Sequence, residues 1–262
     1  MHWPASIVLI GAGKVASALG TRLRATGHQI KCVWSRNLTN AQTLANALGC
    51  TAIDDLTAVP KQANLYLILT PDHAIPATTH QLAAVISPSS LVMHTSGATP
   101  ANALSIFQRH GVFYPLQTFS PGRKINFEQV PLCLHVSAAA DFELVAALAQ
   151  RLSKMVFKVS DEQRLQLHLA AVFVNNFTNY MQHIAQEIVQ AHDLPGELLL
   201  PLLQETMSKL ETLSPSNAQT GPALRSDSAT LERHQQLLEE KPHWQVLYQL
   251  LSEGIKHDLG ET

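Results

Sequence analysis

Residues Gly11 to Ala16 form the pattern G-x-G-x-x-A, whose spacing suits the binding of a pyrophosphate. An apolar run, 7–10, precedes the pattern, and a stretch with helical periodicity follows it as far as Gly27. The first glycine permits a tight turn, the second lets the backbone approach the phosphates, and the small Ala16 lets the helix pack on the strand. The helix N-terminus adds partial positive charge. We therefore expect a dinucleotide to bind at Gly11, Ala12, Gly13, Lys14 and Val15.

Ser35 and Arg36 follow the second apolar run, and Ser35 lies 24 residues after Gly11. The residue that contacts the adenosine ribose is expected at this distance from the glycine turn. An acidic residue would accept a hydrogen bond from the 2′-hydroxyl of NAD, whereas a Ser-Arg pair offers donors and charge to the 2′-phosphate of NADP. The pair predicts NADP, with a solvated surface charge as the alternative interpretation of Arg36.

Two further loops, Thr70-Pro71-Asp72-His73 and His94-Thr95-Ser96-Gly97, come where strands are expected to end. Open α/β sheets bind ligands at the carboxyl ends of their strands. Both loops could flank the nicotinamide ribose and ring; we expect Thr70, Pro71 and Asp72 to contact the cofactor and take Ser96 as a catalytic candidate near the reacting atoms. The alternatives are an ordinary helix start with Asp72 near the N-cap, and an ordinary turn at Ser96-Gly97.

A polar stripe interrupts an apolar segment further along the chain, at His168, Asn175, Asn179 and His183. On one continuous α-helix, these residues lie within about 80° of one another, since each residue turns by about 100°. A histidine with an unperturbed pKa near 6.5 can deliver a proton as hydride arrives. His168 is the candidate proton donor and Asn175 a second candidate, the alternative being a hydrogen-bonded core histidine.

Other patterns of catalytic residues are weaker. The thirteen histidines include no H-E-x-x-H spacing, so we predict no structural metal. The stretch Tyr114 to Phe119 could place Gln117 or Thr118 over the cleft, or could be a strand followed by a turn.

The elements that must position these residues are visible in the apolar patterns. Up to residue 158, β-rich runs occur at 6–10, 30–34, 65–70, 91–94, 112–115, 132–136 and 155–158. Helical patterns alternate with them near 14–26, 39–48, 74–85, 101–109 and 141–153. This alternation predicts an α/β fold, a doubly wound, mostly parallel Rossmann sheet.

After Val159 the strand patterns stop, and helical patterns continue near 161–192, 196–214, 228–239 and 243–257. Ser160 and Gln163 have the spacing of a capping box, which begins the first of these helices. We therefore place a domain boundary near residue 159. It separates an NADP-binding Rossmann domain, 1–159, from an all-helical domain for substrate binding and dimerisation, 160–262.

Composition limits the partners that are expected. The net charge of −2 shows no footprint for nucleic acid, and no segment has the length of apolar chain that spans a bilayer, so we expect no membrane partner. The three cysteines lack C-x-x-C spacing, and a reducing cytoplasm suits them best. We expect the partners to be a small-molecule substrate and a second copy of the chain in a homodimer.

Seven segments together resemble one known family: GAGKVA, WSR, LTPD, HTSG, YPLQTFS, HLAAVFVNNFTNY and TGPALRSDSATLERH. This family comprises NADP oxidoreductases with a Rossmann-like domain and a helical C-terminal domain of unknown function. It is distantly similar to pyrroline-5-carboxylate reductase and the β-hydroxyacid dehydrogenases. The resemblance implies a helical domain like the C-terminal domain of 6-phosphogluconate dehydrogenase, and dimers formed through it.

One departure from the wider group concerns the proton donor. The β-hydroxyacid dehydrogenases carry G-x-x-x-K-x-x-N-N, and here Asn175-Asn176 match, but His168 stands in the glycine place and Val172 in the lysine place. Either His168 substitutes for the lysine, or the chain does something else. The resemblance also draws attention to Arg225, Asp227 and His234, which could complete a site or a dimer contact.

Three functional hypotheses follow. The first is an NADP-dependent oxidoreductase that transfers a hydride to a small C=O or C=N substrate. The second is an NADP-binding sensor or scaffold without redox turnover, which the missing lysine favours. The third replaces nicotinamide with a deazaflavin, a cofactor used by enzymes with similar domains.

Overall fold

A computed structural model describes residues 5–259, and within this range eight strands form one sheet in the order β3-β2-β1-β4-β5-β6-β7-β8. The strands are β1 Ser6–Ile10, β2 Gln29–Trp34, β3 Thr51–Ile53, β4 Leu65–Ile68, β5 Leu91–His94, β6 Arg109–Pro115, β7 Leu132–Val136 and β8 Val156–Lys158. Every neighbouring pair is parallel except β6 and β7. The predicted doubly wound, mostly parallel α/β fold is confirmed.

The helices of this first part are α1 Lys14–Ala25, α2 Leu38–Leu48, α3 Ile75–Ala83, α4 Ala139–Leu152 and α5 Asp161–Ala171. A π-helical segment, Val172–Phe177, follows α5. The later helices are α6 Thr178–Gln190, α7 Leu200–Lys209, α8 Pro215–Ala218, α9 Ser228–Leu237 and α10 Pro242–Leu259. No helix between residues 5 and 259 is both long and apolar enough to cross a membrane.

Alternating side chains of the central strands serve two separate cores, one on each face of the sheet. Ile7 and Leu9 of β1 join one core with residues of α1, α2 and α4, whereas Val8 and Ile10 join the other with residues of α3. Because both faces are covered, β4 and β5 are buried along their whole length. This three-layer packing holds the strand ends, and the loops that leave them, on a rigid base.

Two local predictions are wrong. The helix expected near 101–109 is only a 3₁₀ turn, Ala101–Leu104, after which β6 begins at Arg109. The buried residues Ala101, Leu104 and Phe107 recur every third residue, which is the period of a 3₁₀-helix. Strand β3 was not expected, because three residues are too few to show an alternating pattern.

The start of α5 follows the prediction from its sequence. The Ser160 hydroxyl accepts from the Gln163 amide, and the Gln163 side chain accepts from the Ser160 amide, so the capping box is complete. The chain packs as two compact units, one extending to Asn175 and the other beginning at Asn176. The domain boundary near residue 159 rests on the change from strands to helices and stays a prediction.

Candidate functional site

A cavity of about 1270 Å³ opens at the carboxyl ends of β1, β2, β4 and β5. In the strand order, β1 lies between β2 and β4, so the chain connections leave in opposite directions at this point. Such a reversal is where open α/β sheets bind ligands. The predicted cofactor residues all line this one cavity, and so does Ser96: Gly11, Ala12, Gly13, Lys14, Val15, Ser35, Arg36, Thr70, Pro71 and Asp72.

The glycine turn has the geometry that its sequence predicts. Gly11 has a φ of 137°, and a Cβ built there would lie 2.6 Å from the Leu69 carbonyl oxygen, so no larger residue fits. A Cβ on Gly13 would meet no atom within 4 Å, because the space over the turn is open. Helix α1 begins at Lys14 with no side-chain cap. Its first amides are therefore available to an anion in the cavity.

Ser35 and Arg36 leave the end of β2 beside the glycine turn. The Ser35 amide donates to the Ile53 carbonyl, and the Gly11 amide donates to the Trp34 carbonyl. These two hydrogen bonds hold the carboxyl ends of β1, β2 and β3 together. Arg36 is exposed at the cavity wall. Its guanidinium is free to swing toward a charged group bound there.

Two polar residues missed by the sequence reasoning, Asn40 and Lys61, line the same part of the cavity. Asn40 lies in the first turn of α2, close in sequence to Arg36. Lys61 comes from a loop before β4 that no motif marks. Asp54 and Asp55 also line this region, and hydrogen bonds from Thr57 lower the pKa of Asp55.

Thr70 contributes a hydroxyl that lacks a partner. Its Oγ1 is buried and has no hydrogen-bond partner within the part of the chain that the structure describes. Buried hydroxyls are nearly always paired, so an unpaired one in a cavity wall is what a bound polar ligand would satisfy. Pro71 and Asp72 start the short 3₁₀ turn Asp72–Ala74, so the ordinary helix-start interpretation also describes this loop.

The Ser96 side chain is engaged in its own loop. Its hydroxyl oxygen accepts from the amides of Ala98 and Thr99, at 3.1 and 2.8 Å. Its amide donates to Nδ1 of His94, which is fully buried. Burial lowers the pKa of His94 to about 4, so this ring is neutral. The role of Ser96 near the reacting atoms stays a prediction.

His168 lies directly behind this loop, against Tyr114 at the end of β6. The Tyr114 hydroxyl is 3.1 Å from His168 Nδ1, and the two rings meet edge to face. A Cβ on Gly97 would lie 2.6 Å from that nitrogen and 2.9 Å from Tyr114 Cζ. Gly97 is therefore required for the pair to pack next to the cavity wall that Thr95 and Ser96 form.

An ion pair between the buried Arg164 and the partly exposed Asp161 secures α5 one turn before His168. Arg164 is 1% exposed, bonds to Asp161, and donates to the Thr99 carbonyl. The second oxygen of Asp161 accepts from the Ala101 amide at 2.8 Å. Burial alone would raise the pKa of Asp161, but the hydrogen bonds from Arg164 and Ala101 lower it. This Arg164 network fixes α5, and with it His168, to the loop after β5.

The polar stripe does not have the predicted geometry, because Val172–Phe177 is π-helical. A π-helix takes more residues per turn than an α-helix, so the projection at 100° per residue fails across this segment. Asn175 is exposed on it, away from the lining of the cavity. Its catalytic role stays a prediction. Asn179 and His183 belong to α6 in the second unit.

A second cavity, of about 750 Å³, adjoins the glycine turn on its other side. It lies between α1 and the loop 119–128, which brings Arg123 and Lys124 near Gly13 and Lys14. The residues predicted near this place, Gln117 and Thr118, are exposed and line neither cavity. The two basic residues that follow Pro121-Gly122 were the feature of the sequence that could have indicated this second cavity.

Comparisons with known proteins agree with this architecture. Residues 4–119 match the family model of the Rossmann-like domain, and residues 130–255 match the domain of unknown function DUF2520. No curated protein sequence matches the chain.

Three solved structures show the same overall fold. A putative NADP oxidoreductase from Bacteroides fragilis is 38% identical, with a TM-score of 0.92 over 97% of this chain and 98% of that one. A protein from Thermotoga maritima is 20% identical, with a TM-score of 0.72 over 96% and 97%. A pyrroline-5-carboxylate reductase from Coxiella burnetii is 16% identical, with a TM-score of 0.59 over 98% and 99%.

Proposed function

This chain belongs to the family that joins a Rossmann-like domain to a DUF2520 domain, and we propose on that premise that it is an NADP-dependent oxidoreductase. Its substrate is a small molecule with a C=O or C=N bond. The observation that carries the proposal is the single cavity that holds the glycine turn, Ser35-Arg36 and the loops after β4 and β5. The description of the Bacteroides fragilis protein supports the same cofactor.

The residues present fit NADP. The open space over Gly13 and the uncapped start of α1 suit a pyrophosphate. The unpaired Thr70 hydroxyl offers a hydrogen bond to the nucleotide. Ser35 and Arg36 would hold the 2′-phosphate, for which a guanidinium provides charge and paired donors.

When bound, the reduced cofactor supplies a hydride to the carbon of the substrate double bond. The chain must then provide a proton to the oxygen or nitrogen, which receives the electron pair of that bond. His168 is the proposed donor, because it packs against Gly97, next to Thr95 and Ser96 of the cavity lining, although it does not line the cavity itself. Ser96, which lines the cavity, is proposed as a further polar contact to the substrate. Asn175 lies outside that lining, so its proposed role rests on the sequence alone.

Turnover tests this proposal. Purified protein is mixed with NADPH and a panel of small α-keto acids and cyclic imines, and NADPH absorbance is followed. We expect oxidation of NADPH with at least one substrate, and neither binding nor oxidation in Gly13→Asp, whose carboxylate would enter the phosphate space. Retained folding of that variant is checked by circular dichroism. Wild-type protein that does not bind NADPH contradicts the proposal.

The second candidate function is an NADP-binding sensor or scaffold. Val172, in the place of the lysine of the β-hydroxyacid dehydrogenases, favours it. It predicts tight NADPH binding, no oxidation with any compound of the panel, and a partner protein that is retained only in the bound state. Turnover that depends on His168 excludes it.

We further propose that the protein acts as a homodimer. Many large apolar side chains of the second unit are exposed, among them Leu202 at 66%, Leu237 at 74% and Leu250 at 61%. Where exposed apolar side chains form a contiguous patch, they usually mark an interface, and a second copy would cover them. Light scattering coupled to size exclusion should give about twice the mass of 28.6 kDa. A monomer at micromolar concentration would contradict this.

A further inference from the structure

Tyr114 and His168 share a hydrogen bond, and the tautomer of the His168 ring decides which of the two groups donates. Tyr114 is 9% exposed, and burial, its largest influence, raises the pKa of its hydroxyl above the usual value. The hydroxyl therefore keeps its proton at neutral pH. A neutral imidazole has one bare ring nitrogen, which is a good acceptor for a hydroxyl donor. A Tyr114 O–H that donates to Nδ1 leaves the ring proton on Nε2.

Tyr114 is the hydrogen-bond partner that the structure gives to Nδ1 of His168. The charged and titratable groups that act on Tyr114 are Cys133 on β7, Arg164 on α5 and Asp72 after β4. Burial raises the pKa of the Cys133 thiol, and Arg164 is bound to Asp161. Since Gly97 provides the space in which the two rings meet, the hydroxyl and Nδ1 stay within hydrogen-bond distance.

We propose that Tyr114 is a positioning residue for His168, because its hydroxyl holds the ring as the Nε2–H tautomer. When Nε2 gives its proton to the substrate, the Tyr114 hydroxyl gives a proton to Nδ1. The inference rests on the proposed function, because it describes the proton path of that same reaction. It adds Tyr114 to the site, whereas the sequence of the stretch 114–119 indicated only Gln117 and Thr118 as candidates.

The proton transfer balances without a charged histidine. As hydride reaches the substrate carbon, the electron pair of the C=O or C=N bond forms a bond to the Nε2 proton. The Nε2–H bond breaks while Nδ1–H forms and the Tyr114 O–H bond breaks, so the imidazole stays neutral. The phenolate then takes a proton from water. One substrate bond is reduced at the expense of one NADPH and one solvent proton.

A pH profile separates this arrangement from a lone histidine. A lone histidine gives a proton only as imidazolium, so its rate falls about tenfold for each pH unit above its pKa. With Tyr114 behind it, the neutral ring remains a donor at higher pH. The wild-type rate should therefore stay level until Tyr114 itself loses its proton.

The first experiment is ¹⁵N NMR of the histidine rings at a pH where they are neutral. The His168 signals are identified by their loss in His168→Ala. We expect Nδ1 of His168 to show the shift of a bare, hydrogen-bonded nitrogen, and this shift to change in Tyr114→Phe. A proton found on Nδ1 in the wild type overturns the inference. This measurement needs neither substrate nor cofactor.

The second experiment is single-turnover kinetics with NADPH and the keto acid or imine that the panel identifies. The rate of the Tyr114→Phe variant should fall about tenfold per pH unit on the alkaline side of its pH profile, while its affinity for NADPH stays unchanged. Tyr66→Phe is the matched control, since Tyr66 on β4 is also buried and its hydroxyl donates to the Pro60 carbonyl at 2.7 Å. It should keep the wild-type profile.

The outcomes separate the role of Tyr114 from the proposed function as an oxidoreductase. If NADPH is oxidised and the profiles of wild type and Tyr114→Phe coincide, only the role of Tyr114 is wrong. If no compound of the panel is reduced, the proposed function fails and the proton path falls with it, whatever tautomer the NMR spectra show. A change in both Tyr variants would indicate a general loss of packing and would also overturn the inference.

Discussion

Arg36 gives the sharpest test of cofactor choice, because NADPH and NADH differ only in the 2′-phosphate that this residue is proposed to bind. A hydrogen bond to a charged group contributes about 1.5–3 kcal/mol. Arg36 is exposed at the cavity wall, so solvent screens it and the lower end applies. At 1.4 kcal/mol for each factor of ten, Arg36→Ala should raise the NADPH Kd about tenfold.

The assay is an equilibrium titration of cofactor fluorescence for NADPH and NADH. The Kd of NADH should stay within twofold, so the preference for NADPH should collapse. Because the contact is exposed, the wild-type preference should also weaken between 0.1 and 1 M salt, where the screening length shrinks from about 10 to about 3 Å. Arg24→Ala, an exposed arginine of α1 outside the cavity lining, is the control. An unchanged NADPH to NADH ratio in Arg36→Ala would refute the reasoning, and tighter binding of a deazaflavin than of NADPH would favour the third hypothesis.

Three more predictions concern the supports of the site. Gly11→Ala forces a Cβ to within 2.6 Å of the Leu69 carbonyl at a φ of 137°, so we expect a loss of about 1–3 kcal/mol in urea unfolding; a wild-type midpoint would show that the turn relaxes. Arg164→Met removes the partner of Asp161, whose side chain is 34% exposed, so we expect a loss of about 1–3 kcal/mol, less than for a fully buried pair. An unchanged urea midpoint would contradict the role of the network. Burial lowers the pKa of His94 to about 4, below its value of about 6.5 in the unfolded chain, so protonation below pH 6.5 favours the unfolded chain. The free energy of unfolding should therefore fall by about 3 kcal/mol as the pH drops from 6.5 to 4. The same slope in His94→Gln would assign the effect to other groups.

The sequence predicted those parts of the molecule in which neighbours along the chain decide the structure. The glycine turn, the capping box of Ser160 and the alternation of strands and helices depend on local backbone freedom, local hydrogen bonds and apolar periodicity. Parallel order then follows from short connections, and it brings the predicted cofactor residues to one edge of the sheet. Each predicted cofactor residue therefore lines one cavity.

Only the tertiary structure decided what surrounds His168. Tyr114 lies 54 residues before it, and the Thr99 carbonyl that Arg164 binds lies 65 residues before Arg164. No periodicity connects these positions, because their meeting depends on how far β6 extends and on the space that Gly97 leaves. The π-helical turn after α5 also altered the predicted stripe, since helix type there is not readable from residue pattern. Local interactions thus place the predicted cofactor residues, whereas long-range packing places His168, the candidate proton donor.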